Sequence, residues 1–225
     1  MKRNKNLTLK VYHRILELMS KYEIVPGQRL VFVDLARQLQ VSRTPVNNAL
    51  SILAQEGYLD FRPHQGYSVR NLSRNEAEDL YEIRDVLETG FMSQAIDNLT
   101  DDNLKKIEQH KVSFEKAISH RVHRGLFVLD TEFHLAILDL IGNEMLSSRY
   151  KEICQKIFLR IRIEQLGMER VEAIIQEHNQ LYEAICNRDK KGARDMVLQH
   201  HENSRNSLYP ILFPDEPHTR IELRN

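Results

Sequence analysis

The sequence predicts a mainly α-helical protein, with an N-terminal winged helix-turn-helix of three helices plus a β-hairpin and a C-terminal all-α antiparallel bundle of six helices. Three observations support this fold class. Apolar residues recur with a helical period along most of the chain. The β-prone runs are short and lie within residues 58–70, whereas the later segments are helical in pattern. Basic residues exceed acidic ones only in the first 70 residues.

Residues 42–57 form a predicted helix with a signal at each end. Ser42 is placed to cap the first turn, Pro45 stands where no N–H is needed, and Gly57 supplies a left-handed stop. The apolar stripe consists of Val46, Ala49, Leu50 and Leu53, and the opposite face of Thr44, Asn47, Asn48, Ser51 and Gln55. A polar but uncharged face is suited to reading base edges, so we interpret this helix as a DNA-recognition helix. The alternative is a short helix of any small helical domain.

The segments around this helix predict a helix-turn-helix with a wing. A first helix spans residues 7–21, and a second ends at Gln40, two residues before the recognition helix begins. Downstream, residues 58–61 and 67–70 form a hairpin whose polar tip is able to reach a neighbouring minor groove. The predicted DNA-binding residues are Arg37, Ser42, Arg43, Thr44, Asn47, Asn48, Ser51, His64, Gln65 and Gly66.

The chain has no formal net charge, but its basic and acidic residues are unevenly distributed along the sequence. Residues 1–70 contain eleven Lys and Arg against five Asp and Glu, whereas the rest contains twenty-one against twenty-seven. A basic N-terminal domain attracts a polyanion, so double-stranded DNA is the expected partner. We find neither a signal peptide nor an apolar run long enough for a membrane, and we expect a cytoplasmic protein. Cys154 and Cys186 lack paired spacing and are predicted to be core residues.

The remainder of the chain is predicted to consist of six helices and no strands. A capping box, Ser73 with Glu76, opens a long helix that runs towards Leu99. The other five helices are predicted near residues 101–119, 122–141, 144–166, 169–188 and 190–209. Prolines at 210, 214 and 217 disfavour further helix. We therefore predict a DNA-binding domain at 1–71, a helical domain at 72–209 and a tail at 210–225.

Ionisable residues interrupt the apolar stripes of three of these helices. Asp130 and His134 lie one turn apart on one stripe, while His178 and His200 interrupt two others. Any one buried histidine is most often a hydrogen-bonded core residue. Burying four such groups without a shared partner costs on the order of several kcal/mol each, whereas one divalent metal accepts all four. The set suits Zn, Ni, Mn or Fe and leaves coordination positions open.

These residues carry a resemblance to a known family. The segments Leu35-Ala36, Val41 to Val46, Ala49-Leu50, Glu56-Gly57 and Gly66-x-x-Val69 resemble the GntR superfamily of bacterial transcription regulators. Where that family usually has a basic residue, most often Arg, this chain has Asn47. We therefore do not expect this chain to recognise the operator sequences of its relatives. The second half, with Asp130-x-x-Phe133-His134 and Glu177-His178, resembles the FCD effector domain of the FadR subfamily, and the six-helix count suggests the VanR-like branch.

The resemblance implies a set of site residues. The family's metal ligands correspond to Asp130, His134, His178 and His200; His201 is expected to turn away from that stripe. Arg84 occupies the position of the family's Arg, which commonly binds a small organic acid, and its alternative role is a surface ion pair with Asp85 or Glu88. The implied protein is a homodimeric transcription regulator, expected to be a repressor, with a metal and a carboxylate effector.

A second hypothesis is a metal-dependent enzyme domain fused to a DNA-binding module. Such an enzyme needs a general acid or base beside the metal. Glu132 and Glu177 are adjacent in sequence to predicted ligands, but their positions on the helices are expected to point them to other faces. We therefore predict a regulator without enzymatic activity.

Overall fold

The computed structural model describes residues 2–119, 125–161 and 167–214. Within these ranges the chain is mainly α-helical, with one small sheet near the N-terminus, as predicted. The N-terminal helices are α1 (Lys2–Ser20), α2 (Phe32–Gln38) and α3 (Arg43–Gln55), and the strands are β1 (Arg29–Leu30), β2 (Leu59–Arg62) and β3 (Gly66–Val69). The later helices are α4 (Arg74–Asp97), α5 (Asp101–Ser119), α6 (Leu126–Leu138), α7 (Glu144–Phe158), α8 (Met168–Cys186) and α9 (Lys190–Leu212).

The first domain is the predicted winged helix-turn-helix with one additional strand. Strands β2 and β3 form the wing, and β1 pairs antiparallel with β3 to give the order β1-β3-β2. A strand of two residues is too short to show an alternation of apolar and polar residues, so the sequence pattern does not predict β1. The predicted stripe of α3 is fully buried against α1 and α2.

Of the two end signals predicted for α3, the stop at Gly57 is confirmed and the side-chain cap at Ser42 is wrong. Gly57 has a φ of +84°, which confirms the left-handed stop. The prediction of a side-chain cap by Ser42 is wrong, because its side chain makes no capping hydrogen bond although its backbone has the extended N-cap conformation. The hydroxyl of Ser42 is exposed and remains available on the outer surface.

The second domain contains the six predicted helices with altered boundaries. Ser73 accepts a hydrogen bond from the backbone N–H of Glu76 at the start of α4. Helix α6 ends at Leu138 and continues as one 3-10 turn to Ile141, and α7 ends at Phe158 rather than at residue 166. Parts of these two predicted helices, 122–124 and 162–166, lie outside the described residues.

The end of the chain differs from the predicted tail. Helix α9 continues through Pro210 to Leu212, and Phe213 is buried in the bundle core. Proline is tolerated there because it lies in the last turn and removes a single backbone hydrogen bond. Residues 215–225 of the predicted tail lie outside the described part of the chain.

Neither membrane helices nor paired cysteines are found in the described residues. Each helix within these ranges is too short or too polar to cross a membrane. Cys154 is buried, as predicted, but Cys186 is exposed at the end of α8 because its side chain faces away from the neighbouring helices. The prediction that both cysteines are core residues is therefore wrong for Cys186.

The two domains are in direct contact through the end of α7. Leu159 packs into the core of the winged domain. Arg160, whose side chain is 1% exposed, donates to the carbonyl of Gly57 at 3.4 Å and to Glu76 Oε1 at 3.0 Å. The hydroxyl of Tyr58 donates to Gln155 Oε1 at 3.4 Å. Because Gly57 directly follows the cap of α3, these contacts join the bundle to the end of the predicted recognition helix.

Candidate metal centre

Three helices bring the four predicted metal ligands together in the bundle interior. Asp130 and His134 lie on α6, His178 on α8 and His200 on α9, and all four side chains are buried. The Nε2 atoms of His178, His200 and His134 lie 3.2, 3.4 and 3.9 Å from Asp130 Oδ1. One ligand atom from each residue lies within 4.8 Å of all the others. Three imidazole nitrogens therefore converge on one carboxylate oxygen, which is the donor set and spacing that a divalent ion requires.

The opposite ring nitrogens of two histidines face carboxylates. His200 Nδ1 is 2.7 Å from Glu177 Oε2, and His134 Nδ1 is 2.6 Å from Glu88 Oε2. Carboxylates in this position fix the orientation and tautomer of an imidazole, so that its Nε2 lone pair points at a metal. Glu177 was expected to point away from the site, and this expectation is wrong. It projects between α8 and α9, where it also binds Arg170 and Asn203.

Three groups of the cluster, Asp130, His134 and His178, have pKa values shifted towards the protonation states that bind a metal. Burial lowers the pKa of His178 to about 4, despite the opposing carboxylate of Asp130. Burial raises the pKa of Asp130, but hydrogen bonds with His178 and His200 outweigh it and hold that pKa well below its usual range. Burial also lowers the pKa of His134. Neutral imidazoles and an ionised carboxylate are the ligand forms that bind a metal.

His200 differs from the other two histidines in its electrostatics. Burial lowers its pKa, but hydrogen bonds with Asp130 and Glu177 outweigh burial and raise the pKa above the ordinary value. The two carboxylates thus stabilise an imidazolium when no metal is present. A metal must displace this proton, so metal binding and protonation compete at His200.

Arg84 forms the ion pair with Glu88 that its alternative role names, but both side chains are buried at the edge of the cluster and not on the surface. Its Nε donates to Glu88 Oε1 at 2.9 Å, and its Nη2 donates to Asp130 Oδ2 at 3.4 Å. The hydroxyl of Tyr150 donates to the same Glu88 oxygen at 2.8 Å. Arg84 therefore places a permanent positive charge directly beside the predicted metal ligands.

His201 lies on the opposite side of Glu88 and is fully buried. Its Nε2 is 2.9 Å from Glu88 Oε1, and its Nδ1 is 2.5 Å from Asp85 Oδ1. His201 turns away from the Asp130 cluster, as predicted, but towards α4 and not towards solvent. Together with Glu88 and His134 it forms a second group of closely spaced donors. Arg84 beside Glu88 opposes a second cation there, so we assign Glu88 to the support of His134.

The predicted DNA-binding residues lie on the surface of the winged domain. Arg37, Ser42, Arg43, Thr44, Asn47, Asn48, His64 and Gln65 are exposed, and Ser51 and Gly66 are half-buried. The residues of α3 lie on its outer face, and the wing tip turns through His64 and Gly66, whose φ angles are +62° and +83°. This surface has the composition and accessibility that contact with a major groove and its flanking groove requires.

Fold and surface together are those of a transcription regulator with a winged DNA-binding domain and a helical second domain. Residues 7–69 match the family model for bacterial regulatory proteins of the gntR family, and residues 79–203 match the FCD domain. The FCD match covers more than half of the chain. The chain belongs to the GntR regulators with an FCD domain.

Relatives with the same architecture are transcriptional regulators and not enzymes. The uncharacterized HTH-type transcriptional regulator YdhC of Bacillus subtilis is 27% identical over 206 residues, which cover 91% of this chain and 92% of that protein. The Nta operon transcriptional regulator of Aminobacter aminovorans is 35% identical over 137 residues, covering 60% and 64% of the two chains. Among solved structures, McbR/YncC of E. coli has a TM-score of 0.81 at 24% identity over 91% of this chain and 98% of that one. These findings do not support the alternative of a metalloenzyme domain.

Proposed function

We propose that this DNA-binding regulator binds a divalent metal through Asp130, His134, His178 and His200, and a small carboxylate effector beside it through Arg84. The convergence of three buried Nε2 atoms on Asp130 Oδ1 carries the proposal. The fit is supported by His134, whose Nε2 has no hydrogen-bond partner among the described residues while its Nδ1 lies 2.6 Å from Glu88 Oε2. Zn, Ni, Mn and Fe all suit this donor set.

Bound metal would supply open coordination positions for carboxylate oxygens. The chain's own contribution to effector binding is the guanidinium of Arg84, which is held in place by Glu88 and stacked near the rings of Tyr150 and Phe158. A guanidinium fork pairs with a carboxylate in a bidentate geometry. An incoming organic acid would compete with Asp130 for Nη2 of Arg84, 3.4 Å away.

Helix α7 supports a route by which effector binding alters operator binding. Tyr150 of α7 contacts Glu88 and Arg84 in the cluster. Within the next ten residues, α7 and the segment after it contact the winged domain through Gln155, Leu159 and Arg160. A ligand that shifts Tyr150 therefore biases the contact at Gly57. We further propose that the protein acts as a homodimer, which sets the spacing of two recognition helices, and as a repressor.

The proposal is tested by metal analysis and DNA binding on protein purified without an affinity tag. Elemental analysis is expected to give one transition metal per chain in the wild type and less in His178→Ala. The midpoint temperature of thermal unfolding of the wild type should fall after chelation, because a metal that binds only the folded state stabilises that state. His110→Ala, a histidine outside the cluster, is the matched control.

DNA affinity is then measured with and without a panel of small mono-, di- and tricarboxylates. A carboxylate effector should change the affinity of the wild type and of His110→Ala, and much less that of His178→Ala or Arg84→Ala. Absence of bound metal, together with an unchanged effector response in His178→Ala, would reduce the histidines to core residues. In that outcome Arg84 alone would remain as a candidate anion site.

A further inference from the structure

A cavity of about 790 Å³ lies at the junction of the two domains. Its walls come from α1 and the end of α3 on one side and from α6 and α7 on the other. Its lining includes neither the four clustered ligands nor Arg84. The volume falls within the roughly 300–1,000 Å³ of small-molecule sites, and its position between two domains is a common one for ligands.

The walls of this junction cavity are largely aromatic. Phe127 and Phe158 stack with ring centroids 4.1 Å apart and planes 7° apart. Tyr12 of α1 and Tyr58, which follows α3, line the opposite side, and Leu16 and Leu159 add aliphatic surface. Flat aromatic faces accept an aromatic ligand by stacking, and their negative π-faces attract a cation.

The charged groups of the cavity favour a cation. Four carboxylates line it, and three of them already form ion pairs: Glu17 with Arg14 and Lys21, Glu132 with Lys151, and Glu152 with Arg149 and Lys156. Glu56 forms no ion pair within the described part of the chain, so it is the carboxylate left to bind a cation. Arg149 pairs with Glu152, and Lys151 lies 3.7 Å from Glu132, so neither cation is a free anion receptor. We propose that the junction cavity is a second ligand site, independent of the metal cluster, for a small aromatic cation such as an aryl-alkylammonium compound.

Ligand binding in this cavity would reach the recognition helix directly. Glu56 is the C-cap residue of α3, and its Oε2 accepts a hydrogen bond from the hydroxyl of Tyr12 at 2.6 Å. A cation in the cavity competes with that hydroxyl for the Glu56 carboxylate and thereby acts on the link between α1 and α3. DNA affinity is therefore expected to depend on cation binding, and operator DNA should change cation affinity by the same factor.

The test uses 1-naphthylmethylammonium as the probe and 1-naphthoate as its anionic counterpart. The chain contains no tryptophan, so naphthalene fluorescence is observed without a tryptophan background. The ammonium probe should bind the full-length protein at least about tenfold more tightly than the naphthoate, a difference of about 1.4 kcal/mol. Equal binding of both probes, or tighter binding of naphthoate, would overturn the proposal.

Substitutions of one apolar and one acidic residue locate the probe, each with a matched control. Val128 lines the cavity and is 45% exposed, so Val128→Trp should fill the space without entering the core, and should weaken probe binding at least about tenfold. Val86→Trp, at a position 68% exposed on α4, is the control for an added surface tryptophan. Glu56→Gln should weaken the ammonium probe and not the naphthoate, whereas Glu172→Gln, outside the cavity, should change neither.

The remaining outcomes separate this site from the metal cluster and from a protein partner. His178→Ala should leave probe affinity unchanged, so failure of the metal proposal does not affect this one. If Val128→Trp leaves probe binding intact, the site lies elsewhere and the proposal fails. If Val128→Trp instead dissociates a dimer in sedimentation experiments, the cavity is covered by a second copy of the chain, and the small-molecule proposal also fails.

Discussion

Glu177 shows how one side chain outside the ligand set controls a neighbouring histidine. Burial raises its pKa, but hydrogen bonds with His200 and Arg170 outweigh burial and lower the pKa to about 2. Its carboxylate is therefore ionised at neutral pH and available to accept a hydrogen bond from His200 Nδ1. Arg170 and Asn203 hold that carboxylate in place, so His200 is oriented by a network and not by its own rotamer alone.

We predict that Glu177→Gln weakens metal binding about 10- to 100-fold, because the amide orients the imidazole of His200 less strongly. Competition with a chelator of known affinity measures this change. Glu172→Gln, an exposed position on the same helix, is the control and should retain wild-type affinity. Wild-type affinity in Glu177→Gln would show that the contact with His200 has no role in metal binding.

A second prediction concerns the pH dependence of the metal-free protein. The pKa of His178 falls from its ordinary value of 6.5 to about 4 in the folded state, chiefly through burial. Between these values the unfolded chain binds a proton that the folded chain does not, so stability falls as pH drops from about 6.5 to about 4. The contribution of this group is on the order of 3 kcal/mol.

Urea unfolding with a chelator present, at several pH values across that range, measures this loss. His178→Gln should show a flatter dependence, because it lacks the titrating imidazole. His110→Ala should retain the wild-type dependence. Parallel curves for the wild type and His178→Gln would contradict the assignment of the loss to His178.

On the DNA-binding face, Asn47 and Arg43 are predicted to have different roles. Both are exposed, but an amide pairs with a base edge whereas a guanidinium also binds phosphate. Asn47→Ala should change base preference, and Arg43→Ala should weaken binding to all sequences. Selection from randomised DNA, followed by affinity measurements on the selected sites, tests both. An equal loss on every sequence for Asn47→Ala would show that Asn47 does not read bases.

Among the helices, α7 is the element that connects the two predicted functions. Its middle contacts Glu88, beside the clustered histidines, through Tyr150, and the segment after its C-terminus contacts the winged domain through Leu159 and Arg160. Arg160 also donates from Nε to the carbonyl of Lys156 at 2.7 Å, so its guanidinium is held against the last turn of α7. The ends of α7 and α3 are thereby held together by one side chain.

We predict that Arg160→Ala lowers the free energy of unfolding by about 2 kcal/mol, because it removes charge-assisted hydrogen bonds to Gly57 and Glu76. It should also reduce the effect of metal removal on DNA affinity. The measurement is the ratio of DNA affinities with and without a chelator. Arg149→Ala, an exposed arginine on the same helix, serves as the control. An unchanged ratio in Arg160→Ala would exclude this contact as the coupling route.

The whole molecule separates its charge between the two domains. The excess of six basic residues in residues 1–70 is balanced by an excess of six acidic residues in the rest of the chain. DNA contact by the winged domain releases counterions from phosphate, while the acidic bundle is repelled by the same polyanion. Charge distribution thus orients the molecule on DNA independently of base recognition.

We predict that operator affinity falls on the order of a thousandfold between 50 and 200 mM salt, as expected for about six phosphate contacts. Titrations at several salt concentrations give the slope of log affinity against log salt. Arg43→Ala should reduce the magnitude of that slope by about one contact, or about two in a dimer. Arg194→Ala, exposed on the bundle, should not change it, and affinity independent of salt would contradict the predicted surface.

The sequence by itself determined the elements and their exposed faces. Helical periodicity depends on neighbouring residues along the chain, so it identified α3, the wing and the six later helices without knowledge of their packing. The same periodicity placed Asp130, His134, His178 and His200 on inward faces, and the structure brings these four residues together. Charge counts, likewise a property of the chain, distinguished the two domains.

Only the tertiary structure decided which charged residues are covered. A sequence pattern assigns Glu88, Glu177, His201 and Arg160 to solvent, because charge is normally solvated. Each is buried or half-buried because another helix or the other domain packs over it, as α4 does over His201 and the winged domain over Arg160. The junction cavity has the same origin, since one wall ends at Tyr58 and the other begins at Gly125, 67 residues later, and the two meet only where the domains pack.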